Sequence, residues 1–371
     1  MNEINKYLNI IGSKLQLSKE KFEELNKNYK AISSYIANNH ALAGDEEYSI
    51  YQQGSFAIDT AIKPLKGDEF DVDVVVEFDI KKGDVGPIEF YNQLYKTFKE
   101  GRYGNIVEDY RNNIRINYDN NYHFDIMPAI PLAYNSQSLN VPDRKKCEWV
   151  IRSPKLYRSW FLEQANKISK YNKGIKVSIN DNNQFVLERD IDPLAKPKDY
   201  ELKPTLNRVV QLIKRSRDVY FYYEEEYVPQ SIVLTTLAAQ FYQGEQSIVD
   251  ALLNIAKKMY ELGDNNPRFD VFNPACPNKQ ENFTQKWKYK IKYYDNYFKF
   301  TEWFLNEIKG LLNNFTAKES LNNLFGESLF KNVYEETKYD YFWKKLESNI
   351  HKENVFPNAP VKVEKKERGN A

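Results

Sequence analysis

Apolar side chains near the start of the chain recur with a helical period. Phe22, Leu25, Tyr29, Ile32 and Ile36 follow one another at alternating steps of three and four, which aligns them on one helix face. Ser18 precedes the stripe as an N-cap, its hydroxyl able to accept from a free amide of the first turn. The pattern is too short for a coiled coil, so residues 1–44 are expected to be helices that brace a catalytic sheet.

From residue 49 to about 130 the pattern changes to short β-rich runs. Residues 72–78 form one, closed by the turn sequence Lys81-Lys82-Gly83-Asp84. Residues 114–118 and 122–127 flank Asp119-Asn120-Asn121, a hairpin signal. Between these runs, residues 87–99 read as a helix with Phe90, Leu94, Tyr95 and Phe98 on one face. This mixture predicts an α+β module with a mixed sheet over 45–200. Residues 157–168 read as a further helix, followed by the polar stretch Asn180-Asp181-Asn182-Asn183 and a proline-rich connector over 192–204.

Beyond Thr205 helical stripes dominate. Leu206, Val210 and Ile213 make one, Leu234, Leu237, Ala238 and Phe241 another, and Ile248, Leu252, Ile255 and Met259 a third. Phe283, Trp287, Ile291, Tyr294 and Phe298 continue the spacing. A helical lobe over 201–350 is expected, with a cleft between it and the sheet, and a flexible tail over 351–371, where Lys and Glu cluster with little apolar content.

Composition narrows the function. Fifty-three basic against 52 acidic residues leave a net charge of +1, which argues against a protein that coats nucleic acid. Cys147 and Cys276 are the two cysteines, with no Cys-x-x-Cys pair, so neither a disulfide scaffold nor a cysteine-based zinc site is expected. No run reaches the roughly 18–20 apolar residues of a membrane span, and the first residues lack a signal-peptide core. A cytoplasmic location is expected.

The candidate chemistry lies in the β-rich region. Asp71 and Asp73 alternate with Val72 and Val74, so on a strand both carboxylates face one way while the valines face the core. Asp125 sits in a second strand, on the face opposite Phe124 and Ile126. Carboxylates this close repel one another unless a cation lies among them, and hard oxygen ligands suit Mg²⁺ or Mn²⁺, two ions to a site. Upstream, Gly54 lets the backbone approach a phosphate closely, and Ser55 adds a hydroxyl and an N–H. Loop and carboxylates together describe metal-dependent nucleotidyl transfer, with Asp71, Asp73 and Asp125 catalytic and metal-binding.

These residues also carry a likeness. Gln53-Gly54-Ser55-Phe56-Ala57, Thr60, Pro64, Asp71-Val72-Asp73-Val74-Val75 and His123-Phe124-Asp125-Ile126-Met127-Pro128-Ala129 resemble the bacterial cGAS/DncV-like nucleotidyltransferases, or CD-NTases, of the polymerase-β-like superfamily. The resemblance continues through Trp149, Ser153-Pro154, residues 206–218, Pro229-Gln230-Ser231-Ile232, Asn273-Pro274, Glu281-Asn282-Phe283 and Trp287. It implies an enzyme that joins NTPs, ATP among them, into a cyclic oligonucleotide second messenger for a separate effector in anti-phage (CBASS) defence. By the same likeness Gln53, Gly54, Ser55, Lys214 and Ser231 bind nucleotide. Read without it, Lys214 is a solvated helix face and Ser231 an N-cap. Two cysteines and three histidines cannot supply the zinc insertion of the animal DNA sensor, so activation by double-stranded DNA is not implied. In some such systems the C-terminal residue is conjugated to targets by a partner protein. The competing readings are a template-independent RNA-modifying nucleotidyltransferase or toxin, and a catalytically inactive nucleotide-binding module.

Overall fold

The computed structural model describes residues 2–39, 47–65, 69–118, 122–133, 136–167, 190–224, 226–344 and 346. The expected hairpin turn at 119–121, the polar stretch at 180–183 and the tail over 351–371 lie outside the described residues.

The N-terminal periodicity resolves into α1 (Asn2–Lys14) and α2 (Lys19–Asn39). Ser18 caps α2, its Oγ accepting from the Lys21 amide at 3.2 Å, and Phe22, Leu25, Tyr29, Ile32 and Ile36 are all buried. The strands are β1 (Tyr48–Gln52), β2 (Phe70–Phe78), β3 (Val107–Asp109), β4 (Ile114–Tyr118), β5 (Tyr122–Pro131), β6 (Leu139–Asp143), β7 (Glu148–Arg152) and the short β8 (Asp190–Ile191). Among them run α3 (Gly54–Ala57), α4 (Pro87–Lys99) and α5 (Pro154–Ala165). The helical part follows as α6 (Thr205–Tyr220), α7 (Ser231–Phe241), α8 (Ile248–Asn265), α9 (Lys292–Leu311), α10 (Ala317–Phe325) and α11 (Glu327–Thr337).

The sheet runs β3-β4-β5-β2-β1-β8, with β6 joining β5 to β7. It is mixed. β4 and β5 pair antiparallel, as the hairpin signal predicts, with Tyr118 opposite Tyr122. β2 and β5 pair parallel, setting Asp73 opposite Asp125. One face of the sheet is a hydrophobic core shared with α2 and α4, where Val72, Val74, Phe90 and Phe124 are almost wholly removed from solvent. A second core fills the helical lobe and draws in α1, through Tyr7, Leu8 and Ile11, and α5, through Tyr157 and Phe161. No described helix is long and apolar enough to cross a membrane.

The stripe from Phe283 to Phe298 is not one helix. Asn282 closes an isolated bridge with Phe272, residues Gln285–Tyr289 form a 3₁₀ turn, and α9 begins only at Lys292. Lysines at every second position, 286, 288, 290 and 292, break the helical amphipathicity, and Ile291 is left exposed.

Candidate active site

The sheet face opposite the α2–α4 core carries the polar groups. Alternation along β2 puts Asp71, Asp73 and Glu77 on it, and alternation along β5 adds His123 and Asp125. Asp71 is the outermost and exposed, Asp73 is half-buried, and Asp125 is buried. Further along, the Tyr51 hydroxyl and Lys155 Nζ each donate to Glu77 Oε2 at 2.9 Å, which pins α5 to the sheet.

Two of the three carboxylates have cationic partners. Arg115 on β4, directly across the strand pair from Asp125, donates through Nε and Nη2 to its two oxygens, each at 2.8 Å. His123 Nε2 lies 2.6 Å from Asp71 Oδ1, an ion pair when the imidazole is protonated. Partial desolvation by its neighbours would push the carboxyl of exposed Asp71 up; contact with His123 and the charges of Arg115 and Lys214 outweigh it and hold it below the usual range. Asp73 is different. Burial, and then repulsion from Asp125 and Asp71, push its carboxyl up to about 7. A carboxylate held this way among like charges is the donor set a hard divalent cation relieves. Among the described residues no three His, Cys, Asp or Glu groups stand ready as a complete ligand set, and Arg115 engages both oxygens of Asp125.

The loop after β1 closes on Asp73. Gln53 N–H donates to Asp73 O at 2.9 Å, extending the β1–β2 pairing by one rung. Gly54 then takes φ +61°, and a Cβ there would overlap the Asp73 carboxylate. Position 54 therefore requires glycine on two counts, backbone hand and space. Gln53, Gly54, Asp73, Asp125 and Arg115 line a cleft of about 920 Å³, whose far wall comes from the helical lobe through Gln230, Asn273 and Glu281. A second cavity, about 490 Å³, lies between the end of α8 and the start of α9, remote from the carboxylates.

Lys214 is not on a solvated helix face. Its Nζ donates to Thr60 O at 3.1 Å, and burial, then Arg217, bring its pKa down to about 8 against the pull of Asp218 and, less, of Asp73 and Asp71. Ser231 is not an N-cap either: it is the first residue of α7, Gln230 holds the cap position, and its Oγ accepts from Arg217 Nη1. Sequence reasoning missed Arg115 and His123. The hairpin register could have found Arg115, since pairing Tyr118 with Tyr122 sets Arg115 opposite Asp125. His123 shares the alternation of Asp125.

A family model for the Second Messenger Oligonucleotide or Dinucleotide Synthetase domain matches residues 1–166. Over 302 residues the chain is 33% identical to the c-di-GMP synthase of Roseivirga ehrenbergii, covering 80% of this chain and 76% of that protein. The chain belongs to the second messenger oligonucleotide or dinucleotide synthetases. The fold of this synthetase is also that of known structures. The Bradyrhizobium diazoefficiens CdnG in complex with GTP superimposes with a TM-score of 0.71 at 20% identity, covering 91% of this chain and 99% of that one. The Vibrio cholerae DncV cyclic AMP-GMP synthase, in complex with a linear intermediate, gives 0.53 at 15% identity, covering 88% and 86%. The synthetase is thus a nucleotidyltransferase that makes cyclic dinucleotides, and the inactive-module and RNA-modifying readings fall away.

Proposed function

We propose that the synthetase joins two molecules of GTP into a cyclic dinucleotide, with Asp71, Asp73 and Asp125 as the catalytic carboxylates. The relationship to the Roseivirga c-di-GMP synthase supports guanine as the base, in place of the ATP expected from the sequence. In each of two successive attacks, a ribose hydroxyl forms a phosphodiester bond at an α-phosphorus and pyrophosphate leaves. Asp71 and Asp73 would hold the nucleotide's ion of a Mg²⁺ (or Mn²⁺) pair, and Asp125 would complete the ligand set once free of Arg115. Bound there, the two ions supply activation of the hydroxyl and neutralisation of the leaving pyrophosphate. Gln53, Gly54 and Ser55 seat the triphosphate, and the Lys214 ammonium and Ser231 hydroxyl face its charge.

The observation that carries this reading is the convergence of Asp71, Asp73 and Asp125 on one sheet face, with Asp73 directly opposite Asp125, where like-charged neighbours raise the Asp73 carboxyl. An arrangement with that cost is accounted for when a cation occupies it. The reading divides the chain as residues 1–44, 45–200, 201–350 and 351–371, with synthesis in the cytoplasm and the product acting on a separate effector in anti-phage defence. The test is incubation with each labelled NTP and Mg²⁺ or Mn²⁺, with and without chelator, followed by phosphatase and mass spectrometry. GTP alone is expected to give a phosphatase-resistant cyclic product that vanishes with chelator. A product that forms only when ATP is also present overturns the guanine assignment.

A further inference from the structure

The loop that follows Gly54 and Ser55 has its carbonyls satisfied in an unusual way. Arg158 Nε on α5 donates to Ala57 O at 3.1 Å, and Asn207 Nδ2 on α6 to Ile58 O at 2.7 Å. Lys203 Nζ, just before α6, reaches Asp59 O at 3.5 Å and Asp59 Oδ1 at 2.7 Å. Lys214 Nζ takes Thr60 O at 3.1 Å, Gln211 Nε2 takes Ala61 O at 2.7 Å, and Arg215 Nη2 takes Lys63 O at 2.6 Å. A peptide with no strand partner must find donors elsewhere when buried. Here they come from side chains of α5, in Arg158, and of the helical lobe at and just before α6.

Geometry explains how one helix can do this. Gln211 lies four residues after Asn207, and Lys214 and Arg215 three and four after Gln211, so all four share a face of α6. From 207 to 215 the helix advances about 12 Å, and residues 58–63 span at most about 17 Å, so the two run side by side. Asn207 and Gln211 are 1% and 0% exposed, which removes them from contact with any substrate. Gln211 is itself held, exchanging amide bonds of 3.2 Å with Gln16.

We propose that α6 is the positioning element of the nucleotide loop, and that Asn207 and Gln211 are positioning residues that set Gly54 and Ser55 against Asp73. The inference rests on the reading that this loop seats the triphosphate. It assigns the two amides a role in triphosphate affinity and none in base recognition. A seam that merely glued the lobes together would not separate the two.

The test is Asn207→Leu and Gln211→Met in the full chain. Binding of non-hydrolysable GTP and ATP analogues is compared with binding of guanosine and adenosine, all with Mg²⁺, and melting is followed alongside. Each variant is expected to bind the favoured triphosphate about tenfold more weakly, with nucleoside affinity unchanged and cooperative melting retained. Wild-type triphosphate affinity in a folded variant overturns the inference, as does equal loss of triphosphate and nucleoside. Asn207→Asp, isosteric and with the donor replaced by an acceptor, gives the same reading should leucine at 207 fail to fold. Wild-type protein that binds triphosphate no tighter than nucleoside overturns the phosphate role of the loop, and the inference with it.

Discussion

In the role proposed for it, the Lys214 ammonium would give triphosphate capture a pH limit. Its pKa in the folded chain is near 8, against an ordinary value of 10.5. Between those two values the unfolded chain holds a proton that the folded chain has released, so this group's contribution to stability rises with pH across that window. Binding runs the other way. The free enzyme loses the cation above about pH 8, so kcat/KM should fall there, while kcat holds further because bound triphosphate keeps the proton on. Lys214→Met should flatten the alkaline limb of kcat/KM, a comparison made from full pH profiles of both proteins. At the carboxylates, Asp71→Asn with Asp73→Asn should lower synthesis by at least about a thousandfold. Removing their mutual repulsion should leave the melting temperature unchanged or higher. Alternation along one strand made these two aspartates legible in the sequence. Arg115 was legible only one step further, by counting back along the predicted hairpin from Tyr118–Tyr122 to the pair Arg115–Asp125, and Ser231 was misread because a helix start looks alike at the cap and one residue beyond it.

At the scale of elements, apolar period decided most of the outcome. The α2 stripe is the plainest case. Leu25 is wholly buried in it, and Leu25→Ala should destabilise the fold by about 2–5 kcal/mol, read as a lower urea midpoint at unchanged slope. The same reasoning failed over residues 283–298, where alternating lysines impose a period of two and α9 starts only at Lys292. The parallel pairing of β2 with β5 was also out of reach. A strand's pattern states which face is buried, and says nothing of which distant strand lies beside it.

Across the whole molecule the two lobes share more than a cleft. α1 and α5 both contribute to the helical core, although an apolar stripe in sequence declares only that a helix packs, and not against what. A buried carboxylate joins the lobes near the cleft. Glu281 Oε2 accepts from Ser153 N at 3.1 Å and from Asn273 Nδ2 at 2.7 Å, and burial pushes its carboxyl up. Glu281→Ala leaves the Ser153 amide without that acceptor. A loss of about 1–3 kcal/mol is expected, measured by equilibrium denaturation, with the catalytic carboxylates untouched.

Gly54 has a genetic consequence. Every missense change of a glycine codon adds a Cβ, and at this position the Cβ meets the Asp73 carboxylate whatever lies beyond it. Inheritance therefore offers no graded alleles here. Saturation mutagenesis should return a uniform row of nulls at position 54, beside a graded row at Ser55, and no second-site change that leaves Asp73 in place should revert one.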